Sequence, residues 1–107
     1  MERDMYAKIL AKLGDAEGIL SSLEGRIAVV TGTFPATEDT YATVDFPDGF
    51  TGANCAIIGH AEQNSGGTWY SNNPSITCMT DEINNIRIKT SESTFNSKPF
   101  KIILCKT

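Results

Sequence analysis

Most of the residues that chemistry depends on are scarce in this sequence. There is one histidine, His60, among 107 residues. A hydrolytic triad therefore has a single imidazole to draw on, and no GxSxG elbow accompanies it. The nearest serine, Ser65, sits in Asn64-Ser65-Gly66-Gly67, which reads as a loop. The three cysteines, Cys55, Cys78 and Cys105, form no CxxC pair and have no zinc-ligand spacing with His60. No metal or other cofactor is expected. The opening Met1-Glu2-Arg3-Asp4 carries no signal-peptide core, and an odd cysteine count in such a chain favours free buried thiols over a bridge. No GxxxxGK or GxGxxG run is present to cradle a phosphate. No apolar run approaches the roughly 18 residues that cross a bilayer, so no membrane insertion is expected. Cations are few: 9 Lys and Arg against 13 Asp and Glu, a net charge of −4. That balance excludes a chain-wide basic surface for nucleic acid or anionic lipid.

What is present divides near residue 25. Ser, Thr and Asn are abundant after it, and only Ser21 and Ser22 precede it. In the first part, Tyr6, Ile9, Leu13, Ala16, Leu20, Leu23 and Ile27 recur at alternating steps of three and four. That is a heptad seam, with Tyr6, Leu13, Leu20 and Ile27 at one core position and Ile9, Ala16 and Leu23 at the other. Met5, Leu10 and Ile19 widen the stripe, which suits three strands better than two. Gly14 and Gly18 weaken the isolated helix by about 1 kcal/mol each but point away from the seam. Lys12 and Glu17 flank it where parallel neighbours face each other. The spacing predicts a parallel three-helix stalk over residues 1–25, with Gly25 as the helix stop. The competing reading is one amphipathic helix packed on the chain's own sheet.

Residues 26–107 read as a separate head of short strands. The runs are Arg26 to Phe34, Thr40 to Phe46, Cys55 to Gly59, Thr68 to Tyr70, Ile76 to Met79, Asn85 to Lys89 and Phe100 to Cys105. Turn chemistry separates them at Pro47-Asp48-Gly49 and Asn72-Asn73-Pro74. Ile86 and Ile88 are expected to point inward, and Val44 and Phe46 to share one face. The last run is still apolar where the sequence ends, so it is expected to be a central strand or to be buried against a neighbouring subunit. The predicted fold is mainly β: an antiparallel β-sandwich head preceded by an N-terminal α-helix that forms a trimeric coiled coil.

The candidate functional residues define a surface rather than a reaction. Acids fall mostly in turns, at Glu38-Asp39, Asp45, Asp48 and Asp81-Glu82, and read as solvated loop charge. Lys98, Lys101 and Lys106 fit a solvated strand face. Trp69 and Tyr70 stand beside Asn72 and Asn73 and close in sequence to His60, Gln63 and Asn64. An aromatic face with amide donors and acceptors suits a sugar, which has an apolar side and a rim of hydroxyls. The expected ligand-binding set is therefore Trp69, Tyr70, Asn72, Asn73, His60 and Gln63. The competing readings put the sole tryptophan in the core and His60 at a strand end or an interface.

Three stretches of the head carry a resemblance. Val44-Asp45-Phe46-Pro47-Asp48-Gly49-Phe50-Thr51 is similar to a recurring V-x-F-P-x-G-F-T start, and Asn54-Cys55-Ala56-Ile57-Ile58-Gly59 to the N-C-x-V-I strand that follows. Lys98-Pro99-Phe100-Lys101-Ile102-Ile103-Leu104 is similar to a terminal K-P-Y-K-I-x-L strand. Together, over roughly residues 30–107, they resemble the C-terminal receptor-binding domains of phage tail fibres and prophage appendage proteins. The resemblance implies a parallel homotrimer in the virion, assembled in the bacterial cytoplasm alongside other tail proteins. It implies a tip that binds a cell-surface glycan or other receptor, and no catalysis. This chain departs from the pattern in having only a short heptad segment in place of a long shaft. Two alternatives stand beside this one: a bacterial lectin-like module outside a virion, and a glycan depolymerase using carboxylates such as Asp45 and Asp81.

Overall fold

The computed structural model describes residues 25–81 and 85–107. Tyr6, Ile9, Leu13, Ala16, Leu20 and Leu23, the expected stalk seam, lie outside the described residues. Ile27 is described, and it corrects the seam: it is the first residue of a strand and pairs with Cys105. The reason is local. Ile27-Ala28-Val29-Val30-Thr31 is rich in β-branched side chains, which prefer an extended backbone.

Seven strands are described: β1 (Ile27–Thr33), β2 (Ala42–Asp45), β3 (Cys55–Gln63), β4 (Trp69–Ser71), β5 (Ile76–Thr80), β6 (Asn85–Thr90) and β7 (Pro99–Lys106). They match the seven runs expected from the sequence. A single turn of 3-10 helix, Ser93–Phe95, precedes β7. The strands form two antiparallel sheets, a larger one in the order β1-β7-β3-β4 and a smaller one in the order β2-β6-β5. The last strand is central, as its largely apolar run requires, with β1 on one side and β3 on the other.

Alternation along the strands builds one core from both sheets. In β6, Ile86 and Ile88 are buried while Arg87 and Lys89 point out. In β7, Phe100, Ile102 and Leu104 are buried. Phe34, Cys55, Ile76 and Phe95 complete the cluster, with Val44 and Phe46 packed at its margin. Burying each large side chain contributes about 1.5–3 kcal/mol. Phe34 and Phe100 meet with ring centroids 4.9 Å apart. Gly32 lies opposite Phe100 in the ladder, and a Cβ there would come within 2.5 Å of the ring. Only glycine leaves room for that ring.

The turns form as their residues dictate. Gly49 takes a left-handed φ of 84°, and Phe50 N–H donates to the Pro47 carbonyl at 3.0 Å. The Asn73 side chain accepts from Ser75 N–H at 2.9 Å. One irregularity was not expected. The β3–β7 register shifts between Ile57 and Gly59, leaving Ile58 as a bulge. Before it, Cys55 and Ile57 face the core. After it, His60 stands opposite Ile102 and Glu62 opposite Phe100, so both polar side chains turn inward. A bulge re-aims the strand beyond it by adding one residue to a two-residue repeat.

Candidate functional site

The expected ligand residues cluster at the β3–β4 hairpin, but strand alternation divides them between two faces. Gln63 pairs with Trp69, and both lie on the outer face of the larger sheet. Trp69 is 41% exposed, so the sole tryptophan is outside the core. The Lys101 ammonium sits 4.4 Å from the centroid of its ring. Ala61 pairs with Lys101 and with Ser71, which places the lysine in the row next to Trp69. Such a cation–π contact is worth about 0.5–1 kcal/mol at an exposed position. Gln63 Nε2 donates to the Gly67 carbonyl at 3.1 Å and braces the hairpin loop.

Tyr70 is on the other face, opposite Glu62. Its ring meets Phe95 edge-on at 6.0 Å, and its hydroxyl accepts from Asn64 Nδ2 at 3.4 Å. The two asparagines are turn builders. Asn72 has a left-handed φ of 53°, its N–H donates to the His60 carbonyl at 2.7 Å, and its Oδ1 accepts from His60 N–H at 2.9 Å. It thereby closes the β3–β4 ladder where the strand pairing stops. Asn73 is held by its own turn, accepting from Ser75 and Ile76.

His60 is a partner of the core rather than of the surface. Its Nδ1 bonds Glu62 Oε1, and Glu62 is completely buried. The carboxylate's other oxygen, Oε2, has no hydrogen-bond partner among the described residues. Burial pushes the Glu62 pKa up, and the His60 bond and the Asn73 N–H oppose it. Cys78 faces the same region from β5. Burial and the nearby Glu62 charge push its thiol up to about 11, so at neutral pH it is a thiol and not a nucleophilic thiolate.

Sequence reasoning missed four contributors. Lys101 reaches Trp69 only through the β7–β3–β4 register, which nothing in the local sequence announces. Glu62 is drawn inward only by the bulge. On the smaller sheet, Arg87 and Lys89 both lie over the Tyr41 ring, at 4.3 and 4.8 Å from its centroid. The carboxylates of the depolymerase alternative are elsewhere. Asp45 pairs with Asn85 at the end of β2, and Asp81 Oδ1 accepts from Asn85 N–H at 2.9 Å. The Glu38 carboxylate is taken by Asn96 Nδ2 at 2.6 Å, a bond that holds its pKa down. Among the described residues, no three His, Cys, Asp or Glu side chains come together to hold a metal ion. No described helix is long and apolar enough to cross a membrane.

All three cysteines are free thiols. Cys55 is buried on the inner face, and Cys105 is on the outer face opposite Ala56. Reducing agent is therefore expected to leave the melting temperature unchanged. Differential scanning fluorimetry with and without reductant checks this, and a fall of several degrees would reveal a bridge.

No family model, no curated protein and no solved structure matches the chain.

Proposed function

We propose that this chain is a non-enzymatic, trimeric receptor-binding protein of the phage tail-fibre kind, with a cell-surface glycan as its receptor. Residues 1–25 form the helical stalk, and residues 26–107 form a head whose two sheets are the layers of a β-sandwich. The observation that carries the glycan reading is the half-exposed Trp69, on the outer face of a rigid sheet beside Gln63 and Lys101. An indole beside an amide and an ammonium offers the apolar contact and the hydrogen-bond donors that a pyranose uses. The reading assigns no reaction to the polar groups. The one histidine is bonded to a buried carboxylate, and Cys78 is held as a thiol.

The mechanism is avidity. Each head presents a shallow, weak site. Three heads on one stalk engage a repetitive surface together, and effective concentration adds a factor of about 10²–10⁴ to binding. The hairpin loop at 64–67 sits beside Trp69 on a rigid scaffold, the place where recognition usually resides.

Two measurements test this reading. Light scattering on the purified chain is expected to give the mass of a trimer. Trp69→Ala is expected to weaken binding to bacterial surface polysaccharide by about tenfold per site, the worth of an aromatic contact of about 1.5 kcal/mol. The oligomer and the far-UV spectrum stay as they are, because the indole is outside the core. A monomeric wild type, or a Trp69→Ala variant that binds as well as wild type, would overturn it.

A further inference from the structure

The outer face of the larger sheet has two unlike halves. Following the register across β1, β7 and β3, one row is Ile27, Cys105 and Ala56. The next is Val29, Ile103 and Gly59, with the bulged Ile58 beside it. The row after that is polar, with Thr31, Lys101 and Ala61, and Trp69 lies beyond it. Ile27, Val29 and Ile58 are 40%, 58% and 57% exposed. These first two rows carry no charge at all. Among the described residues the same corner has an open edge as well: β1 pairs there only with β7, and Ile27–Thr33 has no proline and no charged residue. Sheet proteins guard such edges with lysine, proline or a covering element.

We propose that this apolar half is where the heads of neighbouring copies of the chain meet, around the axis set by the stalk. The inference rests on the trimeric-stalk reading and names the surface that extends it. The occupant follows from where residues 1–24 end. They stop at Gly25, two positions before the patch begins. In a parallel bundle the seam residue Leu23 of each copy lies near the axis. The four steps from Leu23 to Ile27 span at most about 14 Å. Each patch is thereby tethered beside its equivalents, at an effective concentration of about millimolar. Its chemistry fits that neighbour. Around an axis like meets like, and a surface with no charge meets its copies without repulsion. The Lys101 row would repel its copies, and it marks where the contact ends. The Trp69 end lies about 20 Å along the strands and stays free for receptor.

The test uses the full chain. Val29→Glu combined with Ile58→Glu puts two carboxylates on the patch without touching a buried side chain. Thr77→Glu, exposed on the smaller sheet, is the control. Sedimentation equilibrium is expected to show wild type and the Thr77→Glu variant as trimers. The double variant is expected to dissociate at a concentration at least tenfold higher than wild type does. A wild-type trimer with an unchanged double variant overturns the proposed surface and leaves the stalk reading standing. A monomeric wild type overturns both. Hydrogen exchange on the wild type gives a second reading that needs no variant. Amides of residues 26–33 are expected to exchange more slowly in concentrated solution than after dilution below the trimer midpoint, and equal rates overturn the proposal.

Discussion

Phe100→Ala is expected to destabilise the protein by about 3–5 kcal/mol, the cost of emptying a fully buried phenylalanine site. Small domains hold about 5–15 kcal/mol in total, so the variant should be close to unfolded. Three features put it at the upper end of that range. Phe100 has no exposed surface and meets Phe34 with ring centroids 4.9 Å apart and planes tilted by 56°. It sits in the central strand, pinned by β1 and β3, so the backbone cannot move in to fill the hole. The glycine opposite, Gly32, has no side chain to lean into the gap. A urea titration followed by circular dichroism should show the midpoint falling sharply, and the melting temperature should drop on the order of 20 °C. A loss below about 1 kcal/mol would mean that the two sheets close over the vacancy. Gly32→Val presses on the same contact from the other side. Its Cβ would start 2.5 Å from the Phe100 ring, and overpacking costs about 1–3 kcal/mol.

The second large effect is electrostatic. His60→Ala leaves the Glu62 carboxylate with neither oxygen bonded to a side chain, in a position with no exposed surface. Removing one partner of a buried pair costs about 3–5 kcal/mol. This loss depends on pH, and the sign follows from proton binding. Burial raises the Glu62 pKa in the folded protein above the ordinary value of 4.5. From 4.5 up to the raised value, the folded chain holds a proton that the unfolded chain has released. Stability therefore falls as pH climbs through that window and levels off above it. Losing the His60 bond, which opposes the rise, widens the window. The variant should be weakest at neutral pH and should recover as the solution is acidified toward 4.5. Denaturation at several pH values checks this, with Glu62→Gln as the background in which the dependence disappears. A deficit that stays constant from pH 4.5 to 8 would show that Glu62 does not titrate in this way.

Much of the architecture was legible because it depends on local signals. Val44 and Phe46 alternate with polar residues, Ile86 and Ile88 do the same, and turn residues separate the runs. The central place of β7 was legible from a run too apolar for an edge. The bulge at Ile58 was not. Cys55-Ala56-Ile57-Ile58-Gly59 is apolar throughout, so one extra residue leaves no mark on its pattern, and the faces of His60 and Glu62 depend on it. The candidate site suffered from the opposite problem. Trp69 and Tyr70 are adjacent in sequence, and adjacency in a strand means opposite faces. Lys101 joins Trp69 through pairing between distant strands, which no local pattern encodes. The heptad count ran on to Ile27 because an apolar residue falls there by spacing alone, although that residue begins the sheet.

The position of β7 between β1 and β3 has a consequence for how the chain is made. β1 leaves the ribosome well before β7, yet among the described residues β7 is its only ladder partner, through pairs from Thr33–Pro99 to Ile27–Cys105. At about 5–20 residues per second, translation leaves that strand waiting on the order of several seconds. Throughout that time Ile27-Ala28-Val29-Val30-Thr31 is an unpaired, uncharged ribbon, open to any holdase or to another nascent chain. Assembly of the larger sheet is thus timed by the arrival of Phe100, Ile102 and Leu104, and yield in the cell should respond to chaperone supply more than to the intrinsic stability of the finished protein.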